Sequence, residues 1–565
     1  MTALPEAIAR VEAMLLAPGA PFELEEGEVL GERVKLFKNR APHLRAVLER
    51  SASFGDAEYL VFSDGKTKRR FTYRDHLAKV ASTAKVLRER YGVGKGDRVA
   101  ILGANSPEWI VTFWATVALD AIAVGLNGWW TGDEIAYGLR DSEPKVLVAD
   151  FKRLARLEGA DPGVPVIVME SDFDAIWNAH PDAALPTEPI APEDPCLILY
   201  TSGTTGRPKG VVHMHVNLCS AITTSFFHGA RMLALFPPQP IEPGQAPLPT
   251  CTLVTSPLFH VSGLHAAAIS TLAGGAKSVW TVGRFDPEVA LSLIEQEKVT
   301  GWGYTSTILH RLLHHPRIGE FDLRSMRLVG GGGSPIPKRL QLLARSSIPS
   351  ILRYLSVGYG LTEGTAFTTM NPGEELTTFP DSAGRPLPTV EVEIRDASGR
   401  ALPEGEEGAI HVRGPLVMKE YWRNAEATAE SIRPGRWLDT GDVGSFEGGR
   451  LYLATRKRDL ILRGGENVYP VEIEHRLEDH PGVAEAAVVG IESDEFGQEV
   501  KAFVVTKPGA SPTKEELSAW VAETLAYYKV PTHWDLRTEA LPRNATGKVL
   551  KHVLVAETAS TFIEE

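Results

Sequence analysis

The densest chemistry in the chain is residues 200–210, Tyr-Thr-Ser-Gly-Thr-Thr-Gly-Arg-Pro-Lys-Gly, directly after the apolar run 196–199. Gly203 and Gly206 let backbone N–H groups turn inward and approach an anion closely. The hydroxyls of Thr201, Ser202, Thr204 and Thr205 add donors, and Lys209 adds a fixed positive charge. A Walker A loop has Gly directly before its Lys and Ser or Thr directly after. Here Pro208 precedes Lys209 and Gly210 follows it. The segment predicts ATP chemistry and argues against a P-loop kinase or ATPase.

Five further stretches carry candidate residues, and the first three also have a plain structural reading. Gly330, Gly331, Gly332 and Gly333, then Ser334 and Pro335, leave a strand end without side chains. Something flat could lie there, or the chain simply turns tightly. Gly358-Tyr359-Gly360-Leu361-Thr362-Glu363 offers an aromatic face, a hydroxyl and a carboxylate. One carboxylate beside phosphates is how Mg2+ is usually held; a surface Glu at a turn is the alternative. Asp439-Thr440-Gly441-Asp442 places an acid where it could accept from a ribose diol, or forms a hairpin turn. Gly464 and Gly465 permit another chain to pass closely, and Lys548 follows the glycine of Pro542-Arg543-Asn544-Ala545-Thr546-Gly547.

The elements that must hold these residues alternate between near-continuous apolar runs and amphipathic stretches. Runs at 99–102, 145–149, 164–169, 197–200, 252–255 and 278–280 suit strands buried on both faces of α/β layers. Residues 73–91 and 286–297 have helical periodicity. From about 388 the texture becomes short strands at 390–395, 409–412 and 451–454 with glycine- and proline-bearing turns between them. The tail returns to mixed α/β: helices near 470–479 and 514–526, strands near 486–490 and 500–505. The expected fold is α/β: a large N-terminal domain (1–457) of layered sheets with a small β-rich subdomain at about 388–455. A smaller, mobile C-terminal α+β domain (458–565) follows.

The 565 residues, 43% hydrophobic and 23% charged, easily support a large core. A net charge of −13, from 59 Lys+Arg against 72 Asp+Glu, disfavours nonspecific binding to nucleic acid or anionic membrane. Cys196, Cys219 and Cys251 lack metal-ligand spacing and fit a reducing cytoplasm. Residues 109–126 are the nearest thing to a membrane span, but Asp120 interrupts them, so a buried helix leading into a strand is expected. No transmembrane segment and no secretory leader is expected. His310 and His314, spaced i,i+4, read as a packed or solvated helix end rather than a zinc site.

In this order the stretches resemble the core signatures of the adenylate-forming superfamily: acyl-CoA synthetases, nonribosomal adenylation domains and beetle luciferases. The resemblance runs from about residue 71 to Lys548, and the opening loop is its most specific part. It implies that residues 201–210 hold the β,γ-phosphates of ATP, with Lys209 pairing with them. Gly332, Gly333, Ser334 and Pro335 would sandwich adenine with Tyr359, which Gly358 and Gly360 flank. Thr362 would contact the α-phosphate, Glu363 with Thr205 would hold Mg2+, and Asp442 with Arg456 would take the ribose hydroxyls. Lys548 would bridge the substrate carboxylate and the α-phosphate. The C-terminal domain would swing about Arg458 to bring Gly464 and Gly465 beside the tunnel for coenzyme A.

By the same resemblance Pro257-Leu258-Phe259-His260 lies near the acyl pocket, with His260 as gate or wall; a core histidine is the alternative. Tyr304-Thr305-Ser306-Thr307 departs from the more usual Val-Pro-Thr segment, and Gly301, Gly303 and Gly331 would leave the pocket roomy. No Asp for a substrate ammonium stands in 257–263, so an amino acid is disfavoured. The expected activity is an ATP-dependent carboxylic acid:CoA ligase for a medium- or long-chain fatty acid, or a bulky cyclic or aromatic one. Rival readings are loading of a carrier-protein phosphopantetheine and a binding homologue without catalysis. Oligomeric state stays open, a homodimer among the options.

Overall fold

The computed structural model describes residues 4–201, 208–237, 248–332, 336, 338–365, 367–456, 459–463, 466–493, 496–525, 527–543, 549–551 and 553–556. Local signals start and stop its helices as their side chains dictate. Thr72 and Asp75 form a reciprocal capping box at the head of the Tyr73–Tyr91 helix, and Gly92 ends it at φ 64°. Ser106 caps the Pro107–Ala118 helix, whose first residue is the proline that position favours.

Two large sheets form the bulk of the chain. In the first, Val166–Val168, Val146–Ala149, Arg98–Leu102, Ile122–Gly125 and Pro195–Thr201 run parallel. Lys209–Met214 and Glu420–Tyr421 extend it antiparallel at one edge. In the second, six neighbours run parallel: Glu58–Ser63, Lys277–Thr281, Cys251–Val254, Gly301–Tyr304, Leu328–Gly332 and Leu355–Gly360. Phe367–Pro372 and Ser382–Pro386 then lead without a break into the antiparallel strands Arg450–Arg456, Trp437–Glu447, Gly408–Arg413 and Glu391–Arg395. The β-rich region expected from residue 388 is thus a continuation of the second sheet.

The whole Pro107–Ala118 helix is buried, and Trp109, Phe113 and Trp114 are fully inaccessible. Burying one large apolar side chain contributes about 1.5–3 kcal/mol, against about 0–1 kcal/mol for an exposed ion pair. Burial therefore holds this layer. The apolar run at 109–126 becomes this helix followed by the Ile122–Gly125 strand. No helix among the described residues is long and apolar enough to cross a membrane.

The tail builds a separate sheet from Ile461–Arg463, Glu466–Val468, Val483–Ser493, Gly497–Thr506 and His533–Arg537. Ile473 and Leu477 of one helix and Leu517 and Val521 of another cover Val488, Ala502 and Val504. All three cysteines are buried and free, and burial pushes the Cys196 thiol up.

Candidate active site

Thr201 ends one strand and Lys209 begins the next, and the two residues are direct partners in the ladder. Thr201 and Lys209, on either side of residues 202–207, therefore stand side by side at one end of two adjacent strands. Ser202, Gly203, Thr204, Thr205, Gly206 and Arg207 lie outside the described residues. Lys209 Nζ sits 5.1 Å from the centre of the Tyr421 ring, within cation–π range.

The turn that follows Leu355–Gly360 arrives at the same place from the second sheet. Thr201 Oγ1 is 3.5 Å from Glu363 Oε1, and the Tyr421 hydroxyl donates to that oxygen at 2.8 Å. Burial first, then the Glu363 charge, pushes the Tyr421 phenol well above its ordinary range, so it remains a donor. Lys209, Tyr421, Glu363 and Thr201 thus form one contiguous group drawn from three chain segments. Among the described residues no cluster of three or more His, Cys, Asp or Glu forms a metal cage. A lone carboxylate beside two hydroxyls suits Mg2+ that takes its remaining ligands from phosphate oxygens and water.

Thr365 closes this turn at φ 62°, a left-handed conformation that a β-branched residue rarely adopts. Such strain costs on the order of 1–3 kcal/mol. It is offset by the buried hydroxyl of Thr365, which donates to the Leu416 carbonyl at 2.5 Å, and by Met418 N–H bonding the Glu363 carbonyl at 2.8 Å.

Tyr359 is buried and donates to Asp442 Oδ2 at 2.7 Å. Asp442 does not sit in a hairpin turn. Trp437–Glu447 continues through it with a bulge opposite residues 409–411, Gly441 at φ 73° within that bulge, and Asp442 pairs with Arg456 across the ladder. The adenine-side and ribose-side candidates are therefore one connected unit: a side-chain hydrogen bond joins residue 359 to 442, and strand pairing joins 442 to 456. Gly333, Ser334, Pro335, Arg458, Gly464, Gly465 and Lys548 lie outside the described residues.

The glycines divide by strand alternation. Gly303 pairs with Gly330 and Gly330 with Ser356, one row across three strands; Gly332 pairs with Gly358 two residues further along, on the same face. A side chain at Gly332 or Gly358 would meet the Phe367 ring at 3.0 or 2.6 Å. At Gly303 nothing among the described residues lies within 4 Å of a Cβ, and at Gly330 only Ser356 Oγ does, at 3.2 Å. Two adjacent strands, about 5 Å apart, thus present a bare, open floor. Gly331 and Tyr304 depart from expectation: they belong to the opposite face. The Tyr304 ring and Ile336 fill the space before Gly331, and Tyr304 is 4% exposed within the core behind the floor. Gly301, on the same face as Gly303, is buried, and a Cβ there would make only ordinary contacts with Leu328 and Thr252.

Cys251–Val254 lies beside Gly301–Tyr304, with Val254 paired to Gly303, so the segment leading to His260 leaves the sheet next to the floor. The His260 ring is 4.7 Å from Phe259, which contacts the half-exposed Trp129 at 4.8 Å. Burial pushes the His260 imidazole down to about 4, so it is uncharged at neutral pH. His310 and His314 stack at 3.9 Å at a helix end, with His314 bonded to the His310 carbonyl.

Two participants were not visible in the sequence. Tyr421 lies in Glu420-Tyr421-Trp422, a run with no glycine and no hydroxyl cluster. His213, whose Nε2 is 2.8 Å from the Thr362 carbonyl, sits inside an apolar strand and carries no local signal.

The chain is similar to known proteins over most of its length. Residues 47–422 match the AMP-binding enzyme family and 472–548 match the AMP-binding enzyme C-terminal domain. A feruloyl-CoA synthase of an Amycolatopsis species is 36% identical over 486 residues, 85% of this chain and 92% of that protein. The fatty acid–[acyl-carrier-protein] ligase ScoC of Streptomyces coeruleorubidus is 33% identical over 469 residues, 82% of this chain and 87% of that one. An ATP-bound MatB from Rhodopseudomonas palustris superposes with a TM-score of 0.79 at 29% identity, covering 91% of this chain and 99% of its own.

Proposed function

The chain belongs to the AMP-binding enzyme family and is an AMP-forming acid:CoA ligase; we propose that its acid is bulky and hydrophobic, with a flat ring favoured. The observation that carries the substrate reading is the open glycine floor at Gly303 and Gly330. A bare strip of sheet accommodates a planar group, and the uncharged His260 with Phe259 and Trp129 adds aromatic walls without a fixed cation. The similarity to a feruloyl-CoA synthase supports the same reading. A medium- or long-chain fatty acid is the second reading, favoured by the likeness to a fatty acid ligase.

The chemistry proceeds in two steps. A carboxylate oxygen attacks the α-phosphorus of ATP, pyrophosphate leaves, and an acyl-adenylate forms. The CoA thiolate then attacks the acyl carbon, AMP leaves with the electron pair of the broken C–O bond, and the thiol proton goes to solvent or base. Two anions must meet in the first step, so cations are needed where charge concentrates. Lys209 and the 201–207 loop would take the departing phosphates, and Thr362 the α-phosphate. Glu363 and Thr205 would hold Mg2+, which when bound neutralises phosphate charge. Tyr359 and Asp442, already bonded to each other, would fix adenine and ribose, with Arg456 assisting.

Lys548 would serve the first step and Gly464 with Gly465 the second. That requires residues 458–565 to move against 1–457 about Arg458, in keeping with the separate sheet and core of the tail. A cytoplasmic location fits three free, buried thiols. The test is a panel of aromatic, cyclic and straight-chain acids with ATP and CoA, measuring AMP and thioester together. Preference for straight chains would sink the flat-ring reading. AMP without thioester would favour a carrier-protein acceptor.

A further inference from the structure

Beneath the Thr362–Thr365 turn lie two histidines for which the proposed reaction has no direct use. His213 and His265 are 0% and 3% exposed, and their rings meet edge to face at 5.1 Å. His213 comes from the Lys209–Met214 strand, on the same face as Lys209, two strand repeats further on. His265 comes from the π-helical stretch Leu264–Ile269, a geometry that recurs at functional sites. Each ring points one nitrogen at a carbonyl of the turn: His213 Nε2 at Thr362 O, 2.8 Å, and His265 Nδ1 at Thr365 O, 2.5 Å. A carbonyl can only accept, so both nitrogens carry the proton and donate. Burial keeps both rings neutral, which leaves His213 Nδ1 and His265 Nε2 without a proton; neither has a partner among the described residues.

This arrangement is costly. Two buried polar rings each leave one nitrogen unsatisfied, where apolar side chains would pack without penalty. What the pair secures is the turn itself. Thr362 and Glu363 stand on it, and its last residue is held at φ 62°. With Met418 bonding the Glu363 carbonyl, the carbonyls of residues 362, 363 and 365 are all bound from three separate segments.

We infer that His213 and His265 are positioning residues that lock the Thr362–Glu363 turn and tie it to the strand that begins at Lys209. Through His213 the phosphate-loop lysine and the carboxylate turn share one rigid strut, so their separation is set before ATP arrives. The inference rests on the ligase reading, because it assigns the turn to α-phosphate and Mg2+ binding.

The test compares His213→Leu, His213→Gln, His265→Leu and the double leucine variant with the unaltered enzyme. Acid-dependent pyrophosphate exchange, the Mg2+ concentration giving half-maximal rate, and thioester formation from supplied acyl-adenylate are measured for each. His213→Leu is expected to lower the exchange rate about tenfold, the effect of one lost hydrogen bond in a preorganised site. It should also raise the Mg2+ requirement while leaving the KM for the acid and the thioester step nearly unchanged. His213→Gln, whose amide N–H can reach the same carbonyl, should recover most of the loss. The double variant should lose less than the product of the singles, since both rings hold one turn.

An unchanged exchange rate and Mg2+ requirement in His213→Leu would overturn the inference. So would an equal loss in both half-reactions that His213→Gln does not relieve, which is the signature of a merely structural role. Should His213→Leu not fold, His265→Asn read in the same way decides. Absence of exchange in the unaltered enzyme would instead overturn the ligase reading, and this inference with it.

Discussion

The Tyr421 hydroxyl donates to Glu363 Oε1 at 2.8 Å while its ring faces Lys209 Nζ at 5.1 Å. One side chain therefore orients the carboxylate and braces the lysine that flank the phosphate loop. Tyr421 is itself placed by its own edge strand, which pairs with Lys209–Met214.

Tyr421→Phe keeps the ring over Lys209 and removes only the hydroxyl. A hydrogen bond to a charged group contributes about 1.5–3 kcal/mol, so exchange should fall about tenfold or more. The Mg2+ requirement should rise with it. Wild-type exchange in Tyr421→Phe would show that Glu363 is oriented by other contacts.

Lys548→Ala should abolish acid-dependent pyrophosphate exchange, by about 100-fold or more. Thioester formation from supplied acyl-adenylate should be largely intact. Rapid-quench assays of the two half-reactions check this, and equal loss in both would remove Lys548 from its assigned step.

Gly303→Leu places a side chain on the open floor. The KM for bulky acids should rise about tenfold or more, since several methylenes of lost space each cost on the order of 1 kcal/mol. Acetate and propionate should be spared. Uniform KM values across acids of all sizes would mean that the floor does not line the acid site.

Glu478, in the Pro470–Glu478 helix, supplies a pH test. Burial first, then the neighbouring Glu474 charge, pushes its carboxyl from 4.5 up to about 8. The folded chain holds this proton up to about pH 8, whereas the unfolded chain releases it near 4.5. Stability is thus lost as pH rises through that window. The side chain keeps some solvent contact, so the loss is discounted to about 1–2 kcal/mol. Glu478→Gln should flatten the fall in thermal midpoint between pH 5 and 8. A slope equal to that of the unaltered chain would rule out Glu478 as its source.

Much of the fold was readable because its signals are local. Residues 73–91 form a helix with a capping box at one end and a glycine at the other, both within a few residues of the boundary. The runs at 99–102 and 197–200 became buried parallel strands because two covered faces demand continuous apolar character. Residues 439–442 left two readings open because Asp-x-Gly is also turn chemistry. The pairing of Asp439 with His411 on one side and of Asp442 with Arg456 on the other keeps them within one strand. Gly331 misled: a side chain's absence is visible in sequence, but which face it faces depends on register.

The sequence by itself determined an anion-binding loop, since its glycines, hydroxyls and cations fall within eleven consecutive residues and that spacing is a local property. The reaction class came from the resemblance of the ordered motifs to the adenylate-forming superfamily. Tertiary structure alone decided how the machinery is braced and where the acid has room. Tyr421 reaches Glu363 across 58 residues, and His213 reaches Thr362 across 149. Gly303 and Gly330 become one floor only when their strands lie in register. Contacts of that span arise from the burial of distant segments into a common core, and no local pattern records which segments will meet.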